Sequence, residues 1–202
     1  MTTFAELQAD VITETKRPDK TSLITLEIQK ATLKFHMADF WLNDLVKGAV
    51  VPLTPLYSGQ GRYQIDTTAS PFTRFRKAQL IREYVAPPTG LERNYSRIEA
   101  NDIIDSYNVE KVDYWYQAGS SIYLNSLTEI SNASVNYYRV PVITADVNYS
   151  SWIADLFKYA IIMEAAAGVF KAIGKDDEFQ RMRAEFSENL ALLRTMVTSS
   201  GE

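Results

Sequence analysis

The sequence predicts an α+β protein: a helical bundle of two N-terminal and two C-terminal helices with an inserted antiparallel β domain. Two observations predict it. Apolar residues recur every three or four positions at both ends of the chain, as they do in helices with one buried face. Between those ends lie Pro52, Pro55, Pro71, Pro87 and Pro88 and Gly48, Gly59, Gly61, Gly90 and Gly119, a density of breakers that helices do not survive. The bundle is expected to comprise 1–45 and 145–202, and the β part 46–144, with the two chain ends close together.

Each element has a local reason. Thr3 and Glu6 form a capping box, in which each side chain serves a free backbone N–H at a helix start. Phe4, Leu7 and Val11 then give a short amphipathic helix to about Thr15, and Arg17, Pro18 and Asp19 break it. The second helix starts near Thr21. Its stripe is Ile24, Ile28, Ala31, Phe35 and Ala38, broadened by Leu26, Leu33 and Met37, which predicts packing on two sides. Short β-like runs follow at 62–67, 75–84, 112–117, 121–126 and 134–142, with a hairpin turning at Gly119 and a short helix at 99–106. The stretch 50–57 carries two prolines and reads as a sheet edge or an extended arm. A third long helix is expected over 151–173, capped by Ser150 or Ser151 and ended by Gly174. It is apolar almost all round, which predicts burial almost all round, with neighbouring subunits as a plausible cover. The last helix, from Asp176 to Val197, has one apolar stripe through Phe179, Met182, Phe186, Leu190, Leu193 and Val197.

Composition narrows the function. Of 202 residues, 46% are hydrophobic and 23% charged, which suits a globular chain with a core. The net charge of −4 argues against autonomous nucleic-acid binding. With Cys 0 and His 1, disulfides, thiolate zinc sites, cysteine nucleophiles and two-histidine sites are excluded within one chain. No signal peptide is legible at the start, and Glu164 and Lys171 interrupt the most apolar window, so a cytosolic, soluble product without membrane contact is expected. Three Asn-x-Ser triplets, at Asn94, Asn132 and Asn148, read as chance in that setting.

The motifs carry little chemistry. His36 is the one group suited to proton transfer near neutral pH, with Asp39 at i+3 to orient it. No Gly-x-Ser-x-Gly elbow completes a triad, and His36 reads as structural. The run from Gly168 to Gly174 and Lys175 misses a phosphate loop, and Gly59 and Gly61 lack the third glycine of a dinucleotide loop and read as a flexible tip. Asp176, Asp177 and Glu178 complement a helix dipole rather than a metal. Arg74, Arg76 and Arg82 alternate along one strand, so they should share a face. That face is either simply solvated or a contact to phosphate or an acidic partner. Tyr114, Trp115, Tyr116, Tyr123, Tyr137 and Tyr138 put aromatic surface on both sheet faces, one of them core and the other ordinary packing or an interface.

Taken together, several segments resemble the head-to-tail adaptor family of tailed bacteriophages, the head-completion or tail-tubular-A-like connectors. They are Arg17-Pro18-Asp19, the stretch from His36 to Trp41, Phe75-Arg76-Lys77, the run from Tyr116 to Tyr123, Tyr137 to Pro141, and Lys158 to Phe170. The resemblance covers nearly the whole chain, though no motif is diagnostic alone. It implies a structural virion protein made in the host cytoplasm and located at the head–tail interface. Such a protein forms a twelvefold ring of its own copies, joins the portal protein to a tail or nozzle protein, and extends the channel through which genome DNA passes without sequence readout. It implies no catalysis and no cofactor. It places the portal contact on Arg194, Thr195, Met196, Val197, Thr198, Ser199 and Ser200, and a tail-side or inter-subunit contact on Tyr57, Tyr63, Tyr116 and Tyr123. The competing readings are a tail completion or neck protein, a small enzyme using carboxylates and tyrosines, and a nucleic-acid-binding module in which tyrosines stack bases beside Arg74, Arg76 and Arg82.

Overall fold

The computed structural model describes residues 1–57, 61–85, 93–99 and 112–199, with side chains as far as 195. The expected helix at 99–106 and the glycine-rich tip at 58–60 lie outside the described residues, apart from Glu99. The chain divides into two compact units, one of 1–44 with 140–202 and one of 45–139.

The first unit is helical. α1 (Phe4–Thr15) opens on the capping box of Thr3 and Glu6 and closes on Lys16 in the left-handed conformation. A 3-10 turn (Pro18–Lys20) leads into α2 (Thr21–Met37). α3 (Trp152–Ala172) starts on Ser151, whose hydroxyl accepts from the Ala154 N–H, and it departs from helical geometry at Phe157. Gly174, at φ +73, turns the chain into α4 (Asp176–Ser199).

α3 is the core of this unit. Ile153, Ala154, Ala160, Ile161, Ile162, Ala165 and Val169 pack with Phe4, Leu7 and Val11 of α1 and with Ile24, Ile28, Ala31 and Phe35 of α2. On another side Met163, Ala166, Ala167 and Phe170 meet Met182 of α4. The chain therefore covers most of its own apolar helix, leaving Leu156 and Tyr159 59% and 50% exposed. The few charges on α3 mark its seams. Glu164 accepts from Lys34 of α2 at 2.5 Å, and Lys158 reaches Asp10 of α1 at 2.7 Å. α2 is packed on one side only, since Leu26 and Met37 are 47% and 45% exposed. Among the described residues no helix is long and apolar enough to cross a membrane.

The second unit is a sheet. Its described strands are β1 (Leu45–Pro52), β2 (Arg62–Asp66), β3 (Phe75–Glu83), β4 (Asn94–Arg97), β5 (Tyr114–Ala118), β6 (Ser121–Asn125) and β7 (Asn132–Arg139), in spatial order β1-β7-β3-β4-β5-β6-β2. β4 and β5 run parallel and the other pairs antiparallel. This corrects the expected fold class. The β part is not an antiparallel insertion carried by a helical bundle but a seven-stranded mixed sheet that forms a principal core of the molecule. That core is built on Tyr63, Ile65, Ile81, Tyr95, Trp115, Ile122, Leu124, Val135 and Tyr137. The parallel pair was invisible because β4 is four residues, Asn-Tyr-Ser-Arg, with only Tyr95 buried. A strand with one apolar residue has no readable period.

Local chemistry explains the register. Gly48, at φ +69, sits where the β1–β7 pairing slips, and its N–H donates to Asn136 Oδ1 at 2.9 Å. Gly119, at φ +57, opens the two-residue turn between β5 and β6. Gly61 is not the tip the sequence suggests. Its carbonyl accepts from the Ser126 N–H at 2.6 Å, and a Cβ there would collide with the Ser126 carbonyl, whose carbon would lie at 2.9 Å. Because the obstacle is backbone, Gly61→Ala is expected to cost about 1–3 kcal/mol by overpacking. A urea titration followed by fluorescence of Trp115, with Trp41 and Trp152 replaced by Phe in both proteins, checks this, and an unchanged midpoint would show that the β2–β6 edge yields freely.

Candidate functional site

The helical unit contains an array that the sequence did not disclose. His36 Nδ1 donates to the Asp44 carboxylate at 2.8 and 3.0 Å, and His36 Nε2 lies 2.9 Å from Ser151 Oγ. Asp44, on the 3-10 turn Leu42–Asp44, also accepts from Trp152 Nε1 at 2.9 Å. The order Asp–His–Ser is that of a hydrolytic triad. Asp39, the expected partner, instead pairs with Arg194 at 3.1 Å. Asp44 and Ser151 were missed because they lie 8 and 115 residues from His36, beyond any local spacing rule.

The surroundings make this array a structural lock. His36, Asp44 and Ser151 are 1%, 4% and 3% exposed. The Ser151 oxygen, which a nucleophile would need free, already accepts the Ala154 N–H as the cap of α3. Nearby, Tyr149 bonds Thr32 at 2.9 Å, and burial raises its phenol above the ordinary range. A cavity of about 480 Å³ in this unit is lined by Phe4, Gln8, Val147 and Tyr149, but not by His36 or Ser151. The array thus ties α2, the 3-10 turn and the start of α3 together through buried groups whose hydrogen bonds are made to one another.

The predicted tyrosines separate. Tyr63 is 1% exposed, and its hydroxyl accepts from the Ile130 N–H at 2.7 Å, so it is a core residue and not part of a surface. Tyr57 is 64% exposed on the stretch after β1. Tyr116 and Tyr123 are directly paired across β5 and β6 and stack, with centroids 5.0 Å apart and planes at 13°. Their face, opposite Tyr63 and Trp115, continues into Gln64 on β2 and into Tyr114, Asn125 and Arg62 one pair along. Partial burial, with Tyr123 and Tyr114 close by, raises the Tyr116 phenol.

The three arginines do not share a face. Ala78 and Ile81 both point into the core although three residues apart, because β3 slips against β7 between Ala78 and Leu80. That slip carries Arg82 to the other face. Arg74 precedes the strand and, with Arg76, lines a cavity of about 490 Å³. The base-stacking module imagined from Arg74, Arg76 and Arg82 beside the tyrosines is therefore not assembled.

At the other end of the chain, Arg194 and Thr195 lie on α4, where the Thr195 hydroxyl donates to the Ala191 carbonyl at 3.1 Å. The helix continues through Met196, Val197, Thr198 and Ser199, and Ser200 lies outside the described residues. Asp176, Asp177 and Glu178 form the first turn of α4, where the backbone N–H and Lys175 hold the Glu178 carboxyl below its ordinary value. Among the described residues no group of three or more His, Asp or Glu could hold a metal ion. No protein-family model matches the chain, and no curated protein matches it.

Proposed function

We propose that this chain is a structural subunit of a tailed-phage head-to-tail adaptor. Copies of it form a ring that joins the portal to the tail and extends the DNA channel. The observation that carries the reading is the stacked Tyr116–Tyr123 pair on a half-exposed sheet face, alongside the outlying Tyr57. Tyrosine is enriched at protein interfaces because it offers a large rigid area with a polar tip at low entropic cost. The buried His36 array supports the same reading, since the residues best suited to catalysis are committed to holding the helices. In this proposal the sheet unit contacts the tail side or a neighbouring copy through Tyr57, Tyr116 and Tyr123, and the end of α4 meets the portal. A tail completion or neck protein is the nearest alternative within the same class.

The test is co-sedimentation with portal rings from the same genome. A heavier complex with near-equal subunit numbers is expected, and two unshifted species would remove the proposal. Deleting 195–202 is expected to leave the fold intact, because Leu193 stays buried and Arg194 keeps Asp39. The same deletion is expected to weaken portal binding at least tenfold. Unchanged portal binding would remove the assignment of that end.

A further inference from the structure

We propose that the cavity between the β2–β3 connection and the β5–β6 turn binds a phosphate group. Its walls include Thr67, Thr68, Arg74, Arg76, Gln117 and Ser120, around a volume of about 490 Å³. Donors reach it from three separate segments. Gln117 Oε1 accepts from the Ala78 N–H at 3.2 Å, which leaves the amide nitrogen to donate elsewhere. The Ser120 carbonyl accepts both the Thr67 N–H at 2.9 Å and the Thr67 hydroxyl at 2.8 Å, so the β5–β6 turn is pinned against the connection and the wall is preformed. Asp66, the carboxylate of that connection, is occupied by the Thr68 N–H and hydroxyl at 2.8 and 2.7 Å.

Arg74 is exposed at the cavity wall and open to an anion from solvent. It holds φ +50, the left-handed region that disfavours a side chain, and such outliers persist where a site requires them. Among the described residues it has no ion pair and no hydrogen bond. Its near neighbour is another cation, Arg139, which pairs with Phe75 across β3 and β7. Partial loss of solvent beside the cavity, followed by repulsion from Arg139, lowers the Arg74 guanidinium below its ordinary value. A positively charged corner in a chain of net charge −4, with guanidinium and amide donors converging from different directions, fits a tetrahedral oxyanion better than a planar carboxylate. The site stands apart from the adaptor reading and survives or fails by itself.

The experiment is an amide NMR titration of the full chain with inorganic phosphate, against sodium chloride at equal ionic strength, and then with a short DNA duplex. Phosphate is expected to give saturable shifts at Thr68, Arg74, Gly119 and Ser120. Arg74→Gly, which the left-handed backbone accommodates, is expected to weaken them at least about tenfold, the loss of one charge-assisted contact. Arg82→Gln, on the other face, should bind as the parent does. Duplex acting on the same amides at lower concentration than phosphate would identify nucleic acid as the source. A response to inorganic phosphate alone would identify a small phosphorylated ligand. Shifts no larger than those from chloride, or equal in Arg74→Gly, would overturn the site.

Discussion

Replacing Ala166 by glutamate is expected to unfold the helical unit or leave it insoluble. Ala166 is fully buried on α3, in a cluster with Met163, Ala167, Phe170 and Met182. A carboxylate there has no cation among its cluster neighbours. It must either be desolvated or push α4 away, at a cost of about 4 kcal/mol or more, against a total stability of about 5–15 kcal/mol for a typical domain. Circular dichroism with urea denaturation measures it. Ala166→Gly serves as the control, and the loss of helix propensity should cost it about 1 kcal/mol. A glutamate variant as stable as the parent would mean that the α3–α4 seam opens to water, and that another copy covers it in the assembled state.

The second large effect is expected at Asp44. Asp44→Ala leaves the buried His36 Nδ1–H and the part-buried Trp152 Nε1–H without their acceptor. That should cost about 3–5 kcal/mol, the range for breaking a buried polar pair from one side. Ser151→Ala removes a helix cap and one bond to His36, and should cost less, about 1–2 kcal/mol. The double variant should lose less than the sum, because the two residues act through one imidazole. The same array makes a chemical prediction. A fluorophosphonate probe, which modifies activated serines, is expected to leave Ser151 untouched. Labelling of Ser151 would overturn the structural role and make hydrolysis the function to pursue.

Elements with local causes are legible in the amino-acid sequence. The capping box of Thr3 and Glu6, a cap for α3 at Ser150 or Ser151, the left-handed Gly174 and the turn at Gly119 each rest on residues within a few positions of one another. The buried stripe of α2 through Ile24, Ile28, Ala31 and Phe35 follows from a period within a single element. Features that depend on a partner far along the chain emerge only on folding. Folding turned an expected antiparallel insertion into a mixed sheet, through the short strand Asn94–Arg97. It packed most of the apolar surface of α3 against α1, α2 and α4, with Leu156 and Tyr159 left exposed. A slip in β3 sent Arg82 away from Arg74 and Arg76, which no count of alternating residues foresees, because one extra residue inverts every side chain after it. The meeting of Asp44, His36 and Ser151 is of the same kind. Each residue alone is ordinary, and only the packing of α2 against the start of α3 brings their polar atoms within hydrogen-bonding distance and away from water.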